Sequence, residues 1–303
     1  MKLNAKPFIS IVIPTWNRYE EVIRATKSVN IEKYDNVEII VCDNDSKAEI
    51  SEKLEDYCSK KRGINFYKNP SNIGMTANWN QALKYASGTW ISLLCSDDEY
   101  EIGGFQRAFL FLKNLNEPCL VVQNPILESS TVLKAGKEAT RKLNLPIASG
   151  NFWHEDCLKN CGYFDERLKY SPDAEYWTRI ATKYNIVLYP NTFAKYNLHS
   201  NNYMWVTWLK EDIIDQMILI GKLTSQHKEE DYEYNLKEMN WNYQIFFLKN
   251  SIGIKKRRLI VKKYLPLAIK NGTTFSRRTE ILKIVLLFFY RKLRLNKLKE
   301  CLK

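Results

Sequence analysis

The chain has 303 residues, of which 45% are hydrophobic and 26% charged, as in ordinary globular proteins. Its length allows one large α/β domain with an appendage, and no apolar run reaches the roughly 18 residues that a membrane-spanning helix needs. The formal charge of +12 comes from residues 251–303, which hold 16 Lys and Arg and two acids, whereas residues 1–250 carry a net charge of −2. Because the body of the chain is nearly neutral, we predict no nucleic-acid partner.

Short apolar strands alternate with helices along the first hundred residues. The predicted strands are Phe8–Pro14, Val37–Cys42, Ile64–Tyr67 and Trp90–Leu94, and the predicted helices are Arg18–Val29, Ile50–Ser59 and Thr76–Ala86. This alternation predicts an α/β fold, with a mostly parallel sheet covered by helices on both faces.

The pattern continues less regularly toward the C-terminus. We predict helices at Ile102–Leu115, Phe152–Asn160 and Glu175–Tyr184, strands at Cys119–Gln123, Ile186–Tyr189 and Phe193–Asn197, and a loop or short hairpin over residues 124–150. From Trp208 onward the chain reads as several helices. The predicted organisation is one domain over residues 1–205, with halves at about 1–100 and 101–205, followed by a basic helical extension over 206–303.

Polar side chains follow three of the predicted strands, namely Thr15–Arg18, Asp43–Asp45 and Asp97–Glu99. Open parallel sheets bind ligands at the carboxyl ends of their strands, so these groups should share one rim. Adjacent carboxylates there suit Mg²⁺ or Mn²⁺. The alternative is a solvated acidic turn that caps a helix. Neither a G-x-G-x-x-G nor a G-x-x-x-x-G-K-[ST] motif is present, which argues against dinucleotide binding and P-loop chemistry.

Several segments stand in a characteristic order over residues 8–200: Ile11–Arg18, Val41–Ser46, Asn72–Gly74 with Asn78, Ala86–Asp98, Gly162–Glu166, Asp173–Arg179 and His199. Taken together, they resemble the family 2 glycosyltransferases, which have the GT-A fold. The corresponding family patterns are, in the same order, "IPTYNR", "VDDGS", "N-x-G…N", "A-x-G…L-D-x-D-D", "G-x-F-D-E", "E-D-x-x-x-W-x-R" and "R-x-H".

The resemblance implies inverting transfer of a sugar from a nucleotide-diphospho-sugar, with a UDP-sugar as first choice, to a hydroxyl of a glycan or lipid-linked acceptor. It implies a hexosyl- or N-acetylhexosaminyl-transferase of bacterial surface-polysaccharide type. Asp173 would be the general base, and Mg²⁺ or Mn²⁺ would be held by Asp97, Asp98 and His199. The implied donor-binding residues are Pro14, Thr15, Asn17, Arg18, Asp43, Asn72, Gly74, Asn78 and Asp97.

The chain departs from the family pattern at three places. Cys95 replaces the first acid of "D-x-D-D", Pro172 replaces the Glu before Asp173, and Asn197 stands where the family has the arginine before His199. For Asp173 the alternative role is a helix N-cap, and for His199 a structural one. Trp153 is a candidate for acceptor contact, whereas Trp16, Trp79 and Trp90 are interpreted as packing residues.

The basic tail carries an apolar run, Ile281–Phe289, flanked by arginine and lysine. It is too short to span a bilayer and suits an interface over anionic lipid; the alternative is a helix that packs on the domain. We therefore expect a cytoplasmic protein, peripheral at the inner face of the membrane. Residues 205–247 could form a homodimer surface. Two rival functions are a nucleotidyltransferase on a similar fold and a non-catalytic protein that binds membrane surfaces.

Overall fold

The structure is a computed structural model that describes residues 8–143, 148–197, 210, 212–227, 257–271 and 281–283. Its strands are β1 (Ile9–Thr15), β2 (Val37–Asp43), β3 (Ile64–Lys68), β4 (Trp90–Leu93), β5 (Glu99–Tyr100), β6 (Cys119–Gln123), β7 (Thr131–Leu133), β8 (Phe152–His154), β9 (Asn185–Tyr189) and β10 (Ala194–Lys195). Eight of them form one sheet in the order β3-β2-β1-β4-β8-β6-β9-β7, and β5 pairs with β10.

Helices flank the strands along the chain. They are α1 (Tyr19–Val29), α2 (Ala48–Ser59), α3 (Met75–Lys84), α4 (Gly104–Leu112), α5 (Lys137–Lys142), α6 (Glu155–Cys161), α7 (Pro172–Lys183), α8 (Ile213–His227) and α9 (Arg257–Asn271).

The first four strands of the chain pair in parallel, with β1 between β2 and β4 and with β3 beyond β2; β6 and β9 form a second parallel pair in the same sheet. Every residue of β1, β2 and β4 is buried. Alternate residues of β1 enter opposite cores, since Ile11 and Ile13 belong to one hydrophobic cluster and Val12 to the other. Apolar burial on both faces is what a parallel sheet covered by two helical layers requires, and it confirms the predicted α/β fold.

The second half of the sheet differs from the prediction in two places. The segment predicted as one helix, Phe152–Asn160, is a short strand, β8, followed by α6, and β8 is antiparallel to both β4 and β6. Three residues, of which two are buried and His154 is half-buried, are too few for periodicity to separate a strand from a helix. The segment predicted as a loop or hairpin contains β7 and the one-and-a-half-turn helix α5.

The chain divides into two compact units, one of Met1–Asn197 with Leu223–Glu230 and the other of Leu198–Lys222 with Asp231–Lys303. The domain boundary predicted at residue 205 stays a prediction. No helix among the described residues combines the length and apolar character that crossing a bilayer requires. Most of the basic tail, and most of the predicted dimer surface at residues 205–247, lie outside the described residues.

Candidate functional site

The carboxyl ends of β1, β2 and β4 meet at one edge of the sheet. In the β1–β2 ladder Thr15 is the partner of Asp43, and in the β1–β4 ladder Val12 is the partner of Leu93. The three segments that follow these strands, Thr15–Arg18, Asp43–Ser46 and Cys95–Asp98, are called the rim below. The shared edge predicted from the sequence is therefore present.

The loop after β1 is fastened to the loop after β2. Asn17 has a left-handed backbone (φ 54°), its N–H donates to Ser46 Oγ at 2.7 Å, and its Oδ1 accepts the N–H of Lys47 at 2.9 Å. The Ser46 hydroxyl and N–H in turn donate to the carboxylate of Asp43, which is fully buried. These bonds give the buried Asp43 carboxylate hydrogen-bond donors, which a polar group in the interior needs.

Two side chains of the β1–α1 loop are arranged for contact with a ligand. Thr15 is 3% exposed, and its Oγ1 makes no hydrogen bond to any residue that the structure describes. A buried hydroxyl without a partner costs free energy, so a polar ligand atom would satisfy it. Trp16 beside it is 53% exposed. The interpretation of Trp16 as a packing residue is therefore wrong, whereas Trp79 and Trp90 are buried, as predicted.

Hydrogen bonds among four asparagines and a glycine connect the loop after β3 to the rim. Asn44 donates to Asn72 Oδ1 at 3.1 Å and accepts from Asn69 at 3.0 Å, while Asn69 also donates to Asn78 Oδ1 at 2.8 Å. Gly74, at φ 87°, donates its N–H to Asn72 Oδ1 at 3.0 Å. Asn78 is 3% exposed with both ends of its amide engaged, so its contacts support the loop.

The turn after β4 brings three metal-ligating groups together. The Sγ of Cys95 and one carboxylate oxygen each of Asp97 and Asp98 all lie within 4.8 Å of one another. Arg18 is ion-paired with Asp97 at 2.6 Å, and Arg24 donates to the Asp97 carbonyl at 3.0 Å. This donor set fits a divalent cation, because carboxylates are the oxygen ligands that Mg²⁺ and Mn²⁺ prefer.

Asp98 is the most buried member of this turn, at 1% exposure. Its carboxylate accepts from Ser149 Oγ at 2.5 Å and from the Asn197 N–H at 3.0 Å. Burial and, to a smaller extent, the neighbouring charge of Asp97 raise the pKa of Asp98 to about 6, against the lowering by these hydrogen bonds and by the charge of Arg18. A cation would remove this penalty, since it favours the ionised carboxylate.

Asp173 lies in the first turn of α7, directly after Pro172 and the left-handed Ser171 (φ 48°). Ser171 is the N-cap residue, so Asp173 is not at the N-cap position. Burial raises the pKa of Asp173 to about 6, and the N–H groups of Ala174 and of Asp173 itself oppose that rise. A carboxylate with a pKa near 6 is mostly ionised at neutral pH and can accept a proton efficiently.

Two side chains of α3 that the sequence analysis did not select form hydrogen bonds to the segment before Asp173. Thr76 Oγ1 donates to the Leu168 carbonyl at 2.5 Å. Asn80 donates to the Phe164 carbonyl at 2.9 Å and accepts the Phe164 N–H at 3.0 Å. Their signal in the sequence is slight, because asparagine and threonine inside a helix are expected to face solvent.

Asp173 belongs to the same electrostatic neighbourhood as the acidic turn. Burial and then the charges of Asp98, Asp97 and Asp173 raise the pKa of the Cys95 thiol well above its ordinary value. Three carboxylates from two distant segments of the chain thus act on one thiol.

Two other predicted site residues have different outcomes. Trp153 is fully buried, so its predicted contact with an acceptor is wrong. His199 lies outside the described residues.

Comparison with known proteins identifies this arrangement. The family described as Glycosyl transferase family 2 matches residues 10–155, which include the rim and the turn after β4. Residues 10–155 of the chain form a glycosyltransferase family 2 domain. The predicted family is thereby confirmed, and Asp173 lies beyond the matched segment.

Two relatives and two solved structures accompany this match. The putative colanic acid biosynthesis glycosyl transferase WcaA of Escherichia coli K12 is 28% identical over 59% of this chain and 67% of its own length. The Escherichia coli enzyme WfgD, a UDP-Glc:alpha-D-GlcNAc-diphosphoundecaprenol beta-1,3-glucosyltransferase, is 27% identical over 51% of this chain and 56% of its own.

The two structures establish the fold. The mannosyltransferase PcManGT of Pyrobaculum calidifontis, solved with GDP-Man and Mn²⁺, has a TM-score of 0.60 at 14% identity and covers 96% of this chain and 83% of its own. S. aureus TarS 1–349 with UDP-GlcNAc has a TM-score of 0.57 at 16% identity, covering 91% and 79%. The predicted GT-A fold is confirmed.

Proposed function

We propose that this family 2 glycosyltransferase transfers a hexosyl or N-acetylhexosaminyl group from a nucleotide-diphospho-sugar to a hydroxyl of a glycan or lipid-linked acceptor, with inversion. The observation that carries the proposal is the cluster of Cys95, Asp97 and Asp98 within 4.8 Å of one another at the strand-end rim, with Asp173 close enough for its charge to raise the pKa of the Cys95 thiol. The names of WcaA and WfgD favour an acceptor in bacterial polysaccharide assembly and a UDP-sugar donor.

The rim would bind the nucleoside. Asp43 and the Thr15 hydroxyl, which has no partner in the described part of the chain, offer hydrogen-bonding groups to the base or ribose. The exposed indole of Trp16 offers a face on which a base can stack. Arg18, already paired with Asp97, supplies positive charge for the diphosphate. The remaining donor-binding predictions are Pro14, Asn17, Asn72, Gly74 and Asn78.

Asp97 and Asp98 would hold Mg²⁺ or Mn²⁺, with His199 as the further predicted ligand. The cation, when bound, neutralises charge on the departing diphosphate. Asp173 accepts the proton of the acceptor hydroxyl while that oxygen forms a bond to the anomeric carbon and the bond from that carbon to the diphosphate breaks. Attack opposite the leaving group inverts the anomeric centre. A positioned base of this kind contributes about 10²–10⁴-fold to the rate.

The experiment that tests the proposal measures nucleoside diphosphate release from a panel of UDP-, GDP- and dTDP-sugars with and without Mn²⁺. We expect release from one donor class, stimulated by the metal and by an undecaprenyl-diphosphate-linked sugar acceptor. Incubation with nucleoside triphosphate and sugar phosphate tests the rival nucleotidyltransferase. Pyrophosphate release from that mixture, without turnover of any nucleotide sugar, would contradict the proposal.

We also propose peripheral membrane contact through residues 251–303, at the inner face of the membrane. The net charge of +14 over that segment favours binding to anionic lipid. Sedimentation of the full chain with vesicles should show binding to phosphatidylglycerol and not to phosphatidylcholine, and substitution of Arg291, Lys292 and Arg294 by glutamine should weaken it. Equal binding to both vesicles would contradict this proposal.

A further inference from the structure

A buried carboxylate that has no part in the proposed chemistry lies two residues after Asp173. Glu175 in α7 is 2% exposed. Residues two apart on a helix do not face each other, so Glu175 does not share the site with Asp173. Burying a charge costs free energy that packing alone does not offset, so the presence of a carboxylate at this position calls for a further explanation.

Two hydrogen-bonding side chains, Arg179 and His227, contact the Glu175 carboxylate from different directions. Arg179 forms a bidentate ion pair with Glu175, in which Nε donates to Oε1 at 2.8 Å and Nη2 donates to Oε2 at 2.9 Å. His227, in the last turn of α8, places Nε2 at 2.8 Å from Oε1. Hydrogen bonds from His227 and Arg179 outweigh burial and lower the pKa of Glu175, so it is ionised, and His227 Nε2 must be the donor.

Arg179 extends the cluster to the chain that precedes α7. Its Nη2 donates to the Tyr163 carbonyl at 2.8 Å, and its Nη1 donates to the Cys161 carbonyl at the end of α6. The cluster of Glu175, Arg179 and His227 thus joins α6, α7, the segment between them and the last turn of α8. All three residues belong to the same compact unit.

We propose that Glu175 is a positioning residue for sugar transfer, which, held by Arg179 and His227, fixes the first turn of α7 and with it the carboxylate of Asp173. This inference rests on the proposed role of Asp173 as the base. Displacement of a reacting group by about 1 Å can cost about 10²-fold in rate. A rigid supporting shell is what keeps such a group in place.

The test compares four variants of the full chain: Glu175→Gln, His227→Ala, His227→Gln and, as a control, Lys142→Ala. Lys142 belongs to an exposed ion pair with Glu138 on α5, remote in sequence from α7. We expect kcat to fall about 10- to 100-fold in Glu175→Gln and about tenfold in His227→Ala. His227→Gln should restore most of the rate, because its amide nitrogen can donate where Nε2 did. Lys142→Ala should match the wild type.

Two readouts and a second variant separate positioning from a purely structural role. Affinity for the nucleoside diphosphate, measured by calorimetry, should stay unchanged in every variant, so that kcat falls without donor binding. His227→Ala removes a half-buried ring and leaves the Arg179 pair intact, which keeps the test valid if Glu175→Gln fails to fold. In an Asp173→Asn background, adding His227→Ala should lower the residual rate no further, because the group that it positions is already absent.

Two outcomes would overturn the inference. One is an unchanged kcat in both Glu175→Gln and His227→Ala. The other is a loss of the same factor in the Asp173→Asn background, which would show that the cluster acts independently of Asp173. A fully active Asp173→Asn enzyme would overturn the assignment of the base as well, and so distinguishes failure of the proposed function from failure of the positioning role.

Discussion

The rim and the first turn of α7 both carry carboxylates of the proposed site but are built differently. The rim follows parallel strands whose ladders fix its position residue by residue, with Thr15 opposite Asp43. The turn that carries Asp173 is held by a few side chains far apart in sequence: Thr76 and Asn80 on one side, and the cluster of Glu175, Arg179 and His227 on the other. Substitutions should therefore act locally in the rim and through displacement in α7.

The largest expected effect is at Asp173, the proposed base. Asp173→Asn keeps the size of the side chain and removes the group that accepts the proton, so kcat should fall about 10²–10⁴-fold with donor affinity unchanged. Asp35→Asn, an exposed carboxylate paired with Arg62, is the control and should leave kcat unchanged. The measurement is initial-rate release of nucleoside diphosphate together with calorimetric binding of that product. Wild-type turnover in Asp173→Asn would place the base elsewhere.

The sequence predicted the rim better than the turn of α7, and the reason is physical. Apolar β-branched runs ending in Asp43 and in Asp97-Asp98 specify buried strands with polar ends, and parallel pairing then brings those ends together. By contrast, the support of Asp173 comes from Asn80 and His227, which carry no local signal because their partners lie 84 and 52 residues away. The three-residue strand β8 was not predicted because its conformation likewise depends on partners distant in the sequence, namely the neighbouring strands β4 and β6.

The pH dependence should report the raised pKa of Asp173. Because its carboxylate must be ionised to act, kcat/KM should drop about tenfold per unit below pH 6 and level off above it. The raised pKa has the opposite effect on stability, because the folded state binds the Asp173 proton more tightly than the unfolded state does. Above pH 6, where Asp173 is ionised, it therefore lowers the free energy of unfolding. Asp173→Asn should therefore raise the melting temperature at pH 7.5 and lose that gain toward pH 4. A gain independent of pH would contradict the shift.

A smaller effect is expected from the departure at Cys95. Its thiol is kept protonated by burial and by the surrounding carboxylates, and so contributes little to binding a hard cation. Cys95→Asp adds an oxygen ligand beside Asp97 and Asp98 and should tighten Mg²⁺ binding about tenfold in calorimetric titration. Cys95→Ser, which adds no charge, is the control and should match the wild type. Unchanged Mg²⁺ affinity in Cys95→Asp would show that the first position of the turn does not face the cation.

The smallest expected effect tests the rim through one hydroxyl. Thr15→Val keeps the shape of the side chain and removes a buried oxygen that has no partner among the described residues, so the ligand-free protein should be as stable or slightly more stable. Donor affinity should fall about fivefold, the value of roughly 1 kcal/mol for one neutral hydrogen bond. Thr76→Val is the matched control with the opposite pattern. Its hydroxyl already donates to Leu168, so its loss should lower the melting temperature and leave donor affinity unchanged. A stability loss in Thr15→Val with unchanged binding would mean that the Thr15 hydroxyl serves the fold and not the donor.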